Sequence, residues 1–410
     1  MTRRLLALGS AFLALLLAFS AVSCDKSGTG VVVPPPPAPG TGGDNGNGNG
    51  NGNGNDVPEV SSTLCEDIGQ TPMILAYYTE NSPELPDPTL LTHINYAHGR
   101  FANPSTGDGG IVIEKTDLMK KVIALKEKNP KLKVLLMIGG WGMKADGFSE
   151  MACSAAKRTE FCKSVKSHLD TYGLDGVDID WEYPTYSAEG TGARADDTQN
   201  FNLLLEELRE TIGTKKIISF ASSSSAKYVD WATAIRYIDY VNVMTYDMGA
   251  APKGHNSPLY RSKLFDHRSC DESVTIHLEK GIPLERMNLG VPFYGKAEKN
   301  PADKVYEYEV NFNEMASILE KNYYAKRKLD VTGKNLRKWD DEAKVPYLTD
   351  TGGRVLLCYD DAESVTAKGE YVLERKLLGA MFWEYRHDDS DHTLLKALVK
   401  AVYGKESVIK

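Results

Sequence analysis

This chain of 410 residues has almost no long apolar run: the one near its start, Leu5 to Phe19, is shorter than the roughly 20 residues a bilayer-spanning helix needs. Cysteine is scarce. The six cysteines include no Cys-x-x-Cys pair, so a structural zinc site lacks its usual ligand spacing, and no metal or cofactor is expected. Basic clusters are missing as well; 48 Lys and Arg stand against 56 Asp and Glu, a formal net charge of −8, which gives no reason to expect nucleic acid as a partner. Low-complexity sequence is confined to the N-terminal part, so residues 64–410 fit one large domain, expected to act as a monomer.

Arg3 and Arg4 precede the apolar run, and small residues Ser20-Ala21-Val22-Ser23 follow it, which predicts a secretory signal over residues 1–23. The small residues before Cys24 resemble a bacterial lipoprotein cleavage site, although the usual Leu three residues ahead of the Cys is here Ala21. Lipidation of Cys24 and anchoring to a membrane, facing the periplasm or the cell surface, are the expectation; ordinary cleavage, leaving Cys24 free or paired, is the alternative. Residues 24–63 then form a tether: from Ser27 to Asp56 the chain is mostly Gly, Asn and Pro and cannot bury enough apolar surface to fold. A flexible segment of about thirty residues spans roughly 30 Å.

An exported location permits a disulfide. Of Cys65, Cys153, Cys162, Cys270 and Cys358, the pair Cys153 and Cys162 is the most local candidate, against isolated buried thiols.

The stretch Asp175-Gly-Val-Asp178-Ile-Asp180-Trp-Glu182 places four carboxylates in eight residues of an otherwise apolar segment. On an extended strand, Asp178, Asp180 and Glu182 share one face, and Val177, Ile179 and Trp181 the other. A solvated acidic edge would not carry Val, Ile and Trp between its acids, and a calcium site usually draws its carboxylates from a flexible loop. Sheltered like charges at that spacing cannot all stay ionised, so a proton is shared along the row and a proton donor exists at neutral pH.

Eight short apolar runs read as strands: Met73 to Tyr78, His93 to Ala97, Lys133 to Ile138, Leu174 to Trp181, Lys216 to Ala221, Tyr240 to Tyr246, Met287 to Tyr294 and Leu377 to Trp383. Helical periodicity falls between them at Asp117 to Lys128, Ala155 to Tyr172, Thr198 to Ile212 and Asp271 to Lys280. Eight such units predict an α/β fold, a TIM (β/α)8 barrel, with catalytic groups at the C-terminal ends of strands, where Glu182, Asp247 and Trp383 fall. Residues 297–357 are too long for a simple crossover. A helical stretch from Asn311 to Lys321 and strand-like pieces at Val345 to Leu348 and Arg354 to Tyr359 make them a small α+β insertion between the seventh and eighth strands, walling one side of the cleft.

The acidic signature Asp-x-x-Asp-x-Asp-x-Glu, met at Asp175, Asp178, Asp180 and Glu182, resembles that of glycoside hydrolase family 18 chitinases. So do Ala76-Tyr77-Tyr78, His93-Ile-Asn-Tyr96, Met244-Thr-Tyr-Asp247, Gly290-Val-Pro-Phe-Tyr-Gly295, Tyr359-Asp-Asp-Ala-Glu-Ser-Val365 and Gly379-Ala-Met-Phe-Trp383, across nearly the whole domain. The resemblance implies chitin or N-acetylglucosamine oligosaccharides as substrate and a retaining mechanism in which the substrate's own acetamido oxygen attacks the anomeric carbon. It makes Glu182 the general acid and base. Asp180 would hold the acetamido N–H and stabilise the oxazolinium ion, while Asp178 shares a proton with it. Tyr246 would donate to the acetamido oxygen, Asp247 would contact the sugar, and Trp383 would form the floor under the distorted ring. Met244, Tyr77, Tyr294 and Trp141 complete the implied substrate-binding set, although Met244 and Trp141 also read as ordinary packing. Asp175 has the other strand parity and reads as structural.

Two departures stand out. Where the family commonly has Ser-x-Gly-Gly, this chain has Met137-Ile-Gly-Gly140, which removes a hydroxyl from beside Asp178 and leaves Tyr77 as the candidate support. His98 replaces a common aromatic ring, either as a group that alters the pH profile or as a hydrogen-bonded barrel histidine. An endo-β-N-acetylglucosaminidase acting on N-glycan cores uses the same chemistry, and a non-catalytic chitin-binding lectin shares the fold; the Met-Thr-Tyr-Asp segment and the insertion favour a chitinase over the first, and Glu182 argues against the second. No separate carbohydrate-binding module is visible.

Overall fold

A computed structural model describes residues 63–142, 146–187, 190–297, 309–315 and 336–409. The expected signal, Cys24 and the tether up to residue 62 lie outside the described residues, as do 298–308 and 316–335 of the expected insertion. Among the described residues, no helix is long and apolar enough to cross a membrane.

Fourteen strands are described: β1 (Met73–Thr79), β2 (His93–Phe101), β3 (Ile111–Ile113), β4 (Lys133–Gly140), β5 (Gly176–Trp181), β6 (Ile217–Ser223), β7 (Tyr240–Met244), β8 (Met287–Pro292), β9 (Tyr294–Ala297), β10 (Glu309–Asn311), β11 (Arg337–Asp340), β12 (Val345–Thr349), β13 (Val355–Cys358) and β14 (Gly379–Trp383). Eight of them form a parallel ring in the order β1-β2-β4-β5-β6-β7-β8-β14, closed where Met73 to Ala76 of β1 pair with Gly379 to Phe382 of β14. These are the eight expected strands. β3 pairs antiparallel with β2 outside the ring; at three residues it is too short to show periodicity.

Alternation divides each ring strand between two cores. From β1, Ile74, Ala76 and Tyr78 join the shell packed against the helices, whereas Met73, Leu75 and Tyr77 enter the lumen with Leu135, Met137, Ile217, Tyr240 and Met381. Helix Ala155–Tyr172 applies Phe161, Val165 and Leu169, four residues apart, to the shell and stops at Gly173, whose φ of 68° suits a residue without a Cβ. Helix Asp197–Ile212 applies Phe201, Leu204, Leu205 and Leu208.

The insertion contributes an antiparallel five-stranded sheet in the order β10-β9-β13-β12-β11. Its first strand begins at Tyr294, earlier than the sequence pattern indicates. The Phe293 N–H makes the last bond to β14, at the Trp383 carbonyl, and the chain then leaves the ring to pair with β10 and β13. Of the helix expected over Asn311 to Lys321, Phe312–Met315 is described and helical.

The Cys153–Cys162 disulfide is not formed: Cys153 is exposed, Cys162 is buried against the shell, and all five described cysteines are free. Asp175 precedes β5 and is structural in its contacts, accepting the Val134 N–H at 2.6 Å and pairing with Lys126.

The expected motif Tyr359 to Val365 has a packing role. Asp360 and Lys368 form an ion pair of 2.6 Å with both side chains fully buried, and the Lys368 ammonium also donates to the Ser257 hydroxyl at 2.8 Å. Ser257 in turn donates to the Thr245 carbonyl, which ties the segment after β7 to the chain returning from the insertion. Lys368→Met leaves Asp360 a buried charge without its cation. It is expected to cost about 3–5 kcal/mol, read as a lower urea midpoint.

Candidate active site

The outward face of β5 fixes the inward one. Trp181 is 1% exposed, stacks on Phe148 with ring centroids 5.3 Å apart, and meets Phe201 edge-on at 5.8 Å. With Val177, Ile179 and Trp181 committed to the shell, Asp178 and Asp180 must face the lumen, where they are 0% and 4% exposed. The strand ends at Trp181, so Glu182 stands one residue beyond it, partly buried at the C-terminal mouth, instead of completing a row within the strand.

Asp178 is surrounded by donors. The Tyr77 hydroxyl donates to its Oδ2 at 2.9 Å, while the Ser219 hydroxyl at 2.5 Å and the Asn242 amide at 3.0 Å donate to Oδ1. Asn288 donates to the Asn242 oxygen at 2.9 Å, so a fully buried polar row crosses β5, β6, β7 and β8. Burial raises the pKa of Asp178 from the ordinary 3.8 to about 6, against the pull of the Ser219, Tyr77 and Asn242 hydrogen bonds toward the anion. Tyr77 is thus the expected support, and Ser219 supplies a hydroxyl from the strand opposite Met137.

Tyr246 and Met244 enter the lumen from the β7 side and pack in one cluster with Tyr77, Tyr294 and Trp383. Burial, then the nearby charges of Asp180 and Glu182, push the Tyr246 phenol far above its ordinary value, so it stays an O–H donor facing both carboxylates. Tyr77 is raised likewise, by burial and then by Asp178. Trp383 lies half-buried at the end of β14 with its ring 5.6 Å from that of Tyr77. Asp247 holds a left-handed φ of 56°, a conformation that costs a non-glycine residue about 1–2 kcal/mol; the Asn256 side chain accepts its N–H at 2.9 Å. The exposed carboxylate of Asp247 accepts the Tyr294 hydroxyl at 2.7 Å and pairs with the Lys296 ammonium at 3.0 Å. Tyr183 hydrogen-bonds Glu182 and meets Trp141, 48% exposed, at 6.4 Å.

The structure therefore brings the ten expected catalytic and substrate-binding residues, from Tyr77 to Trp383, into one connected group. Sequence reasoning missed Ser219, Asn242, Asn288 and Lys296, and the stack of Tyr183 on Tyr228 at 4.9 Å. A signal existed for the first three, each a polar residue at inward parity among apolar neighbours. Lys296 lies two residues from Tyr294 on β9, hence on the same face. His98 is 3% exposed, and its Nδ1 lies 3.0 Å from Glu80, which also holds Arg100: the hydrogen-bonded barrel histidine. Burial alone would raise Glu80, but the His98 bond dominates with the other contacts and brings it to about 2.

Comparison with known proteins places this geometry. The family model described as Glycosyl hydrolases family 18 matches residues 73–388. Chitinase A1 of Niallia circulans is 33% identical over 78% of this chain and 56% of its own length, so the chain spans little more than half of that relative. Chitotriosidase-1 of Mus musculus is 30% identical over 74% of this chain and 68% of its own. Among solved structures, a family 18 N-acetylglucosaminidase from Paenibacillus barengoltzii matches with a TM-score of 0.67 and 34% identity, covering 80% of this chain and 99% of that one.

A buried acid with a raised pKa binds protons more tightly folded than unfolded. Its ionisation therefore withdraws stability as pH rises from about 4 through about 6, and the loss persists above. Asp178→Asn removes that term. Relative to the parent protein, the variant should gain about 2–3 kcal/mol between pH 4 and pH 8 at 1.4 kcal/mol per pKa unit, measured by urea unfolding at both values.

Proposed function

The chain belongs to glycosyl hydrolase family 18, and from that membership and the site above we propose that it cleaves β-1,4 linkages between N-acetylglucosamine units of chitin or chito-oligosaccharides with retention of configuration. The observation that carries this reading is the placement of Glu182 at the mouth of the barrel directly beyond Asp180, with Asp178 buried beneath. One carboxyl is positioned to give a proton while its neighbours stay in the lumen.

In this reading the Glu182 carboxyl protonates the glycosidic oxygen as the substrate's acetamido oxygen attacks the anomeric carbon; as carboxylate it then takes a proton from the water that opens the oxazolinium ion. Asp180 accepts the acetamido N–H and offsets the positive charge that develops on the ring. Asp178 exchanges a proton with Asp180 as that residue turns between its two partners. Tyr246, protonated throughout, donates to the acetamido oxygen and aligns it for attack. Trp383 presents its face to the sugar ring above Tyr77 as the floor of the site, Asp247 accepts sugar hydroxyls beside Tyr294, and Met244 packs with Tyr246 in the substrate-binding set. Trp141, at the exposed edge next to Tyr183, extends the aromatic surface along the oligosaccharide. Cys24 carries a lipid, and the tether holds the barrel clear of the bilayer on the periplasmic or outer surface.

A second reading is release of single N-acetylglucosamine units, favoured by the similarity to the Paenibacillus barengoltzii N-acetylglucosaminidase over nearly all of that chain. Product analysis separates the two. Incubation with N-acetylglucosamine oligomers is expected to release chitobiose in the β configuration, monomer alone would favour the second reading, and intact glycans from a high-mannose glycoprotein with the oligomers untouched would replace both by N-glycan cleavage. Glu182→Gln should lower kcat at least a thousandfold while oligosaccharide binding, followed by tryptophan fluorescence, persists. Undiminished hydrolysis in that variant would remove Glu182 from its role.

A further inference from the structure

The sheet places Asp178 between two register partners on the same face, Met137 of β4 on one side and Ser219 of β6 on the other. Met137 is fully buried and has no proton to give. Ser219 does, and its hydroxyl lies 2.5 Å from Oδ1. The other donors are fixed by their own partners. The Asn242 amide group reaches both Asp178 and the Tyr77 oxygen, at 3.0 and 3.1 Å, with its carbonyl held by Asn288; with the Tyr77 oxygen so occupied, the phenol proton points at Oδ2. Three donors converge on one carboxylate, and each favours its anion.

We propose that Ser219 is a positioning residue that decides where the shared proton of the Asp178–Asp180 pair rests: its hydroxyl holds Asp178 as the anion and leaves the proton to Asp180, the duty its sheet neighbour Met137 cannot fill. The inference rests on the substrate-assisted reading of the site. The step is one proton between two carboxyls: the O–H bond on Asp178 breaks, one forms on Asp180, and the charge left on Asp178 is met by the Ser219, Asn242 and Tyr77 donors. Without Ser219 the charge loses one of three donors, and the proton stays on Asp178.

The titratable groups facing Asp178 are Asp180 on its own strand, Glu182 beyond it, Tyr77 from β1, and Tyr240 and Tyr246 from β7. Strands β2, β4 and β8 add Asn95, Met137 and Asn288, which carry no charge. Burial pushes all three phenols well upward, so none of them gives up its proton near neutrality.

Infrared titration of the mature protein, isolating the protonated-carboxyl band that Asp178→Asn abolishes, tests this without turnover. In Ser219→Ala the band should persist to higher pH than in the parent. On N-acetylglucosamine oligomers, kcat should fall about ten- to a hundredfold, the activity profile should move toward higher pH, and KM should stay within about twofold, the scale of one hydrogen bond to a charged group. Ser219→Thr, which keeps the hydroxyl, should leave the band in place, and adding Met137→Ser to Ser219→Ala should return band and kcat toward parental values from the opposite side. A titration unchanged in Ser219→Ala overturns the proposal, as does a fall in kcat with band and profile unmoved. If the parent hydrolyses none of the oligomers, the functional reading fails, and the infrared titration still decides the role of Ser219.

Discussion

A carboxylate with no exposed surface has to be met by donors, and the interior of this barrel is arranged around that requirement. An ionised acid in a lumen of Met, Leu and Tyr would be driven to its neutral form without the Tyr77, Ser219 and Asn242 protons. Each donor brings demands of its own. Asn242 needs Asn288 to fix its amide, and Tyr77 needs room beneath Trp383. The polar row is thus a chain of obligations starting at Asp178 and spreading around half of the ring. The pKa of that residue lies above the ordinary carboxylate value because the donors offset its burial only in part.

The fold was legible because both of its periodicities are plain. Eight buried strands and the helices Ala155–Tyr172 and Asp197–Ile212 carry uninterrupted patterns, and their ends agree with the reading to within a few residues. The insertion was visible as an interval too long for a crossover, but its beginning was not. Nothing in Gly290 to Gly295 marks where a strand stops bonding to one sheet and starts bonding to another, because that boundary is set by partners far along the chain, Val355 to Cys358. The cysteines show the same limit: nine residues of separation permit a bridge, but the inward turn of Cys162 is decided by the helix face it occupies.

At the site, residues with a distinctive local pattern were found and those defined by their neighbours were not. Asp178, Asp180 and Glu182 stand out among apolar residues, whereas Ser219 becomes meaningful only once β6 is laid beside β5. The departure at Met137 illustrates the difference. Read along the chain it is a missing hydroxyl; read across the sheet, the hydroxyl stands on the other flank of the same carboxylate.

Tyr294 and Lys296, the two partners of Asp247, belong to the five-stranded sheet, whereas Asp178, Asp180 and the donors of Asp178 belong to the ring. The division of labour between sheets is also a division of evolutionary freedom. Substitutions in the appended sheet can remodel the surroundings of Asp247 while the buried carboxylates of the ring keep their geometry, so the rim and the floor of the site can vary independently.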